Sequence, residues 1–243
     1  MSRRHPSNKA ILERLGATND FVFEVIVSTC AIDGTPNAAP MGIRFVGAGV
    51  GGEETKILVK PFKSTTTYRN LSAQREAVVN VSSNPAAFFA TAFKGQVERE
   101  SEVKIDFSAA SSVKPPRVKG CDAYIELMVE DVKEGSLLED ERCEVLCRVK
   151  SAQLQNPDAR LYCRAPYILI EAIIHATRVN ALRSQGLMKE AGELTELVHR
   201  YRNLVHRVAP NSEYENIAAE LEAIIHTKKE ETGVRIRGSE GDE

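Results

Sequence analysis

The segment KPFKSTTTYRNL, residues 60–71, combines hydroxyl groups and lysines in a pattern suited to binding an anion. Ser64 is a good N-cap, and a helix that begins there would direct the amides of residues 65–67 at one point. Three threonine hydroxyls and the side chains of Lys60 and Lys63 flank this point. Unpaired amides, the helix dipole and a lysine charge together suit a phosphate group. The glycines of a nucleotide P-loop are missing, and an ordinary helix start with solvated threonines remains the alternative.

A second set of polar residues lies in IEAIIHATR, residues 170–178, where Glu171, His175 and Arg178 fall on one face of a predicted helix. A glutamate that orients a histidine is suited to proton transfer near neutral pH, so Glu171 and His175 are the candidates for catalysis. The alternative is a salt-bridge network within the helix or between domains. Two such residues do not complete a metal site, and we expect no metal.

The cysteines, five in number, predict no chemistry of their own. An odd set in a chain without a secretion signal argues against a disulfide framework. Strand alternation places Cys143 and Cys147 on one face of RCEVLCRVK, so we expect them to be reduced core residues. The sequence shows neither a G-x-S-x-G elbow nor a Cys–His pair, so the reactive atom of an enzyme would belong to a cofactor.

The elements that must position these residues are mostly strands. FVFEVIVSTCAI, residues 21–32, runs into Asp33-Gly34, a strong hairpin signal. The further strands are predicted at 37–46, 56–60, 76–82, 122–135 and 141–154. Short turns between them favour a closed antiparallel barrel over a parallel sheet. A short helix is predicted at 83–95, and the loop at 108–120 is either a lid or a solvated connector.

One strand contains NAAPMG, residues 37–42, which has almost no side chain to pack. Small residues allow a flat ring to approach the backbone, whose amide and carbonyl groups can then read the polar edge of the ring. If this strand and the one at 56–60 are neighbours, the small residues and the helix start at Ser64 border one groove. A phosphorylated planar cofactor would fit such a groove.

The chain becomes helical after residue 165. Apolar residues recur at helical spacing through two segments, and Ser212 with Glu215 fits the capping box of a third helix whose apolar face is Ile217, Leu221, Ile224 and Ile225. We therefore predict a barrel domain over residues 1–165, a helical module over 166–230 and a flexible charged tail over 231–243.

The overall charge gives no support for a nucleic-acid or membrane partner. The formal net charge is -2, which favours neither nucleic acid nor an anionic membrane. No apolar run approaches the ~20 residues of a membrane helix, so we expect a cytoplasmic protein without a membrane partner.

Four stretches in order, VSTCAIDGTPNAAPMGIRF, KPFKSTTTYRNL, EAVVNVSSNPAAFF and IEAIIHATR, resemble the FMN-binding split-barrel proteins of the family called domain of unknown function 447. The resemblance covers roughly residues 18–230. More distantly, the pattern is similar to that of flavin reductases and flavoredoxins.

The resemblance implies a fold that is mainly β with α, namely an antiparallel FMN-binding split β-barrel followed by a C-terminal helical module. It also implies FMN as the cofactor and a homodimer. The residues implied to border the isoalloxazine ring are Asn37, Ala38, Ala39, Pro40, Met41 and Gly42. Arg44 is implied to read ribityl or ring oxygens, and Asn80 to face the groove beside the flavin. Those implied for the phosphate end are Lys63, Ser64, Thr65, Thr66 and Thr67, with Asn70 bracing the turn.

Three functions remain open at this point. The first is an FMN-dependent oxidoreductase of unknown substrate, the second a flavin carrier or sensor without turnover, and the third a split barrel that uses a deazaflavin or another phosphorylated cofactor.

Overall fold

The computed structural model describes residues 6–47, 55–94, 105–134 and 142–231. The chain divides into two compact units, Met1–Tyr162 and Cys163–Glu243. The expected charged tail lies outside the described residues except for Glu231, which ends the last helix. The functional division into a cofactor-binding domain and a helical module stays a prediction.

The first unit is mainly β. Its elements in chain order are α1 (Asn8–Arg14), β1 (Phe23–Cys30), β2 (Pro36–Val46), β3 (Lys56–Val59), α2 (Thr66–Gln74), β4 (Glu76–Val81), α3 (Pro85–Ala92), β5 (Phe107–Ser108), β6 (Arg117–Val118), β7 (Ala123–Lys133) and β8 (Glu144–Leu154). Six of the strands close into an antiparallel barrel in the order β1-β2-β3-β8-β7-β4, with β4 returning to β1. The short β9 (Tyr162–Cys163) spans the boundary between the units. The closed antiparallel barrel followed by helices confirms the predicted fold class.

Strand alternation explains the core of the barrel. Val25 and Val27 of β1 are fully buried, and Val27 lies opposite Val79 of β4, which is fully buried as well. β-Branched side chains at every second position fill a barrel interior in this way. The predicted hairpin is also present, because Gly34 has a φ of +88° and Thr35 donates its amide to Asp33 Oδ1 at 2.9 Å.

The segment 105–121 lies on the outer face of the barrel and is neither an open lid nor a solvated connector. β5 and β6 pair within it, and Val118 packs with Ile26, Val78 and Tyr124 in a hydrophobic cluster that α3 also covers. The segment is held there because its one buried cation, Arg117, meets a buried carboxylate, Glu126. The sequence did not predict this anchor, since Glu126 alternates with apolar residues like any solvent-facing strand residue.

The second unit contains the helices α4 (Ala165–Ser184), α5 (Met188–Val208) and α6 (Glu213–Glu231). Val179, Val198 and Ile225 are at the centre of the cluster where the three helices meet. Half of the predicted capping box is present, because Ser212 Oγ accepts the amide of Glu215 at 3.3 Å, while the Glu215 carboxylate accepts the amide of Asn211. Ile224 was predicted on the apolar face of α6, but it is 53% exposed.

Among the described residues, no helix combines the length and the apolar character that a membrane span requires.

Candidate functional site

The helix α2 begins at Thr66, one residue later than the sequence indicates. Thr65, not Ser64, is the N-cap, since its backbone is extended and its Oγ1 accepts the amide of Tyr68 at 3.2 Å. The Thr65 amide already donates to the carbonyl of Phe62 at 3.1 Å. The prediction that Ser64 caps the helix is therefore wrong, and so is the prediction that the Thr65 amide is available. Serine and threonine both cap helices, and the turn before the helix decides between them.

The hydrogen-bond donors left at this helix start suit an anion. The amides of Thr66 and Thr67 have no acceptor within the described part of the chain, and the side chains of Ser64 and Thr66 are exposed. Arg69 brings a guanidinium to the same place, where its Nη2 donates to Thr66 Oγ1 at 3.0 Å. Unpaired amides at the positive end of a helix dipole, with hydroxyls and a guanidinium beside them, match the oxygens of a phosphate.

The lysines predicted beside the phosphate are engaged elsewhere. Lys63 Nζ donates to Glu134 Oε2 at 3.0 Å, and Lys60 Nζ lies 2.6 Å from Glu144 Oε1. The hydrogen bond to Glu134 raises the pKa of Lys63 and lowers that of Glu134. Lys63 thus has a carboxylate as its partner in this structure, and its role toward a phosphate stays a prediction.

The small residues of β2 form a regular strand. Residues 37–42 pair with β1, with Asn37 opposite Thr29 and Gly42 opposite Glu24. On its other edge β2 pairs with β3 only from Ile43 to Val46. Residues 37–42 therefore have one strand edge that β3 does not cover.

The protein itself fills the space beside two of these small residues. Ala38 is fully buried in the cluster that includes Val118 and α3. A Cβ on Gly42 would lie 2.9 Å from Cγ1 of Val22, so internal packing requires a glycine there. Ala39, Pro40 and Met41 are half-buried. Ala38 and Gly42 are therefore small for structural reasons, whereas Ala39, Pro40 and Met41 are partly accessible to solvent.

A hydrogen-bond network joins this strand to α2. Asn37 Nδ2 donates to Thr67 Oγ1 at 3.2 Å and to Thr29 Oγ1 at 3.3 Å. Asn70 Nδ2 donates to the same Thr29 oxygen at 3.0 Å, so Asn70 braces the start of α2 against the barrel. Lys94, beyond the end of α3, donates to Asn37 Oδ1 at 2.7 Å. The network thus joins Asn37, near the start of β2, to the start of α2.

Two members of this network were not found from the sequence. Thr29 lies directly across the predicted hairpin from Asn37, so the hairpin register contained the signal. Lys94 is 57 residues from its partner Asn37, and no local pattern marks it.

An open groove of about 530 Å³ borders the start of α2. One wall is the β1–β2 turn with Ala31, Ile32 and Asp33, and the other is α2 with Thr66, Arg69, Asn70 and Ala73. The helix start therefore faces a space into which a small molecule can enter.

Asn80 and Arg44 lie away from this network, on the outer face of the barrel. Asn80 is fully buried, donates to the carbonyl of Ile26 at 3.0 Å and accepts the amide of Val118 at 2.8 Å. The expectation that Asn80 faces a cofactor groove is wrong here, because segment 105–121 covers it and uses its polar atoms. Arg44 is half-buried opposite Leu58 of β3.

The catalytic candidates lie in the helical unit and do not form a hydrogen bond. His175 Nε2 and Glu171 Oε2 are 3.9 Å apart, and Glu171 is exposed. The imidazole stacks on Tyr201 of α5 with 5.9 Å between ring centres, and its buried Nδ1 has no hydrogen-bond partner in the described structure. The arrangement favours helix packing over proton transfer.

The cysteines that the structure describes are all free thiols, and Cys143 and Cys147 are buried, as predicted. Within the described residues, no three side chains of His, Cys, Asp or Glu come together as a metal site would require.

A comparison with solved structures found several matches at low sequence identity. An FMN-bound protein from Methanosarcina mazei is 22% identical, with 88% of this chain and 99% of that chain covered and a TM-score of 0.46. The flavin reductase of styrene monooxygenase from Pseudomonas putida S12 is 14% identical over 62% of this chain and 89% of that chain, with a TM-score of 0.44. Component B of nitrilotriacetate monooxygenase from Bacillus cereus is 21% identical over 63% of this chain and 80% of that chain, with a TM-score of 0.46.

No curated protein matches the sequence. A family model described as the N-terminal domain of a protein of unknown function (DUF447) matches residues 23–155, which is more than half of the chain, and the protein therefore belongs to this family.

Proposed function

We propose that the protein binds FMN in the first unit and acts as a flavin-dependent oxidoreductase. The observation that carries this proposal is the hydrogen bond of 3.2 Å from Asn37 to Thr67, because it joins a strand with an uncovered edge to a helix start with unpaired amides. In this proposal a flat ring would lie at the strand edge, and the helix start offers donors for its phosphate. FMN, the cofactor that the sequence resemblance implies, combines both groups.

At the phosphate end, the amides of Thr66 and Thr67 and the hydroxyls of Ser64 and Thr66 would donate to the phosphate oxygens. Thr65 contributes as the N-cap, and Asn70 keeps the helix start fixed against β1 through Thr29. A rigid set of donors binds an anion well, because little side-chain entropy is lost when the ligand enters. Lys63 would join this set only by leaving Glu134.

At the ring end, Ala39, Pro40 and Met41 would border the isoalloxazine, and Asn37 would lie between ring and phosphate. A bound flavin would supply the redox chemistry by accepting a hydride and passing it on. The part of the chain described above contributes binding, orientation and hydrogen bonds. The resemblance also implies a homodimer, which light scattering of the purified protein would test.

Flavin binding is tested directly by the visible absorption of the purified protein and by quenching of FMN fluorescence on titration. The informative variant is Thr66→Glu. A carboxylate in the first turn of α2 is favourable for the helix but repels a phosphate at the amides, so binding should weaken without a loss of stability. The matched control is Ser72→Glu, which adds the same charge to an exposed position near the other end of α2.

We expect Thr66→Glu to weaken FMN binding by at least about tenfold, the size of one charge-assisted hydrogen bond, and Ser72→Glu to bind like the wild type. If the wild type neither carries nor binds flavin, the proposal is wrong. Equal affinities in both variants would remove the α2 start from the site.

Turnover requires a second measurement. The loaded protein is mixed with NADH and with NADPH in the absence of oxygen, and loss of the visible flavin absorption is followed. Rapid bleaching supports an oxidoreductase. A bound flavin that neither nicotinamide reduces contradicts a flavin reductase and favours a carrier.

A further inference from the structure

Lys94 occupies an unusual position for a lysine that follows a short surface helix. Its Nζ donates to Asn37 Oδ1 at 2.7 Å, although the two residues are 57 positions apart in the chain. Asn37 belongs to β2, and α3 packs against the same strand. Lys94 is therefore held beside the small-residue strand, at the point where this strand meets α2.

Three lysines of the barrel have carboxylate partners, and Lys94 differs from these three. Lys56, Lys60 and Lys63 lie within 3.0 Å of Glu130, Glu144 and Glu134, respectively. Across the described residues, Lys94 forms no ion pair, and its partner is the neutral amide of Asn37. Desolvation lowers the pKa of Lys94, although the residue as a whole is exposed. Such a charge gains free energy when an anion comes to lie beside it.

A second source of positive potential lies next to the side chain of Asn37, the partner of Lys94. The amide group of Asn37 accepts from Lys94 through Oδ1 and donates to Thr67 Oγ1 through Nδ2. Thr67 lies in the first turn of α2, where the helix dipole is positive. Two independent elements, the end of α3 and the start of α2, thus place positive charge on either side of one asparagine.

We infer that Lys94, in addition to Arg69 at the helix start, supplies positive charge for an anionic group of the bound cofactor. The sequence suggests Lys63 for this task, but Lys63 has Glu134 as its partner whereas Lys94 has no carboxylate in the described structure. The inference rests on the proposed function. Two parts of a flavin carry a negative charge that Lys94 would recognise. One is the phosphate, and the other is the pyrimidine side of the ring when the flavin is reduced.

The test compares Lys94→Met with Lys94→Arg and with Lys119→Met. Lys119 is an exposed lysine of segment 105–121. Its replacement removes the same charge from the same unit, but from a residue outside the hydrogen-bond network of Asn37. Dissociation constants are measured for FMN and for riboflavin, which lacks the phosphate, and the reduction potential of bound FMN is measured by spectroelectrochemistry. Thermal unfolding without flavin identifies any variant that is misfolded.

We expect Lys94→Met to weaken FMN binding by at least about tenfold, as for loss of a hydrogen bond to a charged group, while Lys94→Arg retains most of the affinity. Lys119→Met should bind both flavins like the wild type. If Lys94→Met weakens FMN but not riboflavin, the anion is the phosphate. If it weakens both and lowers the reduction potential, the anion is the reduced ring. Each of these two results supports the inference.

The inference is wrong if Lys94→Met matches the wild type in both affinities and in potential. It is equally wrong if Lys119→Met has the same effect as Lys94→Met, because the effect would then come from net charge. A wild type that binds no flavin overturns the proposed function, and this inference with it. A wild type that binds flavin, together with a Lys94→Met variant of unchanged affinities and potential, overturns the inference alone.

Discussion

Arg117 and Glu126 form a buried ion pair on the outer face of the barrel, with Nη2 and Oε1 separated by 2.5 Å and side chains that are 10% and 1% exposed. The carboxylate also accepts the amides of Ser111 and Ser112, each at 2.7 Å. Glu126 belongs to β7, whereas its three partners belong to segment 105–121. One carboxylate therefore attaches this segment to the barrel.

Glu126→Gln should lower the free energy of unfolding by about 3–5 kcal/mol, because it leaves the Arg117 charge buried without an anion. Chemical denaturation of the variant and the wild type measures this difference. The control is Glu130→Gln, which breaks the partly exposed pair with Lys56 and should change stability by about 1 kcal/mol or less. Similar losses in the two variants would mean that Glu126 does not anchor the segment.

The same carboxylate should make stability depend on pH. Burial by itself raises the pKa of Glu126, but the hydrogen bonds from Ser112 and Ser111 and the charge of Arg117 outweigh it, and the pKa lies below its ordinary value. In the unfolded chain a glutamate titrates at about 4.3. The contribution of Glu126 is therefore fully present above that pH and is lost as the pH falls through the lower pKa of the folded state.

We expect the difference in unfolding free energy between the wild type and Glu126→Gln to shrink over that acidic range. Denaturation curves measured from neutral pH downward provide the comparison. A difference that stays constant with pH would show that Glu126 does not titrate as an ion in the folded protein.

The fold was largely predictable because its signals are local. Asp33-Gly34 specifies a hairpin, and strand alternation places Val25 and Val27 inside the barrel. The helix start at residues 64–67 was also predictable as a cluster of donors. The choice between Ser64 and Thr65 as the N-cap was not, because both residue types cap helices and the preceding turn decides.

The partners of charged residues were not predictable. Lys63 is neutralised by Glu134 across 71 positions of the chain, and Lys94 reaches Asn37 across 57. Glu126 is buried because Arg117 folds over it. Long-range ion pairs depend on the tertiary fold. Sequence spacing therefore does not tell which lysine is paired with a carboxylate and which can bind an anionic ligand.

Asn80→Ala should destabilise the protein, since it removes the acceptor of the Val118 amide and the donor to the Ile26 carbonyl, both of which are buried. A buried group left without a partner costs about 1–3 kcal/mol, so the loss should reach at least that size. Chemical denaturation measures it, and FMN titration of the folded variant separates stability from binding. A variant of normal stability that has lost FMN binding would place Asn80 in the cofactor site instead.

Gly42→Ala should destabilise the barrel by about 1–3 kcal/mol through overpacking, because the new Cβ would lie 2.9 Å from Cγ1 of Val22. Val22→Ala removes that methyl group, so the double variant should lose less stability than the two single losses added together. Denaturation of the four proteins of this double-mutant cycle tests the contact. Additive losses would show that Val22 is not the reason for a glycine at position 42.

The buried thiols should resist alkylation in the folded protein. Burial raises the pKa of Cys121 to about 11 and that of Cys147 to about 12, so almost no thiolate forms at neutral pH, and the reagent has no access. Treatment with iodoacetamide followed by intact mass measurement should leave both residues unmodified, whereas half-buried Cys163 should react first. After denaturation all five cysteines should react. Rapid labelling of Cys147 in the folded state would mean that β8 opens and exposes the barrel interior.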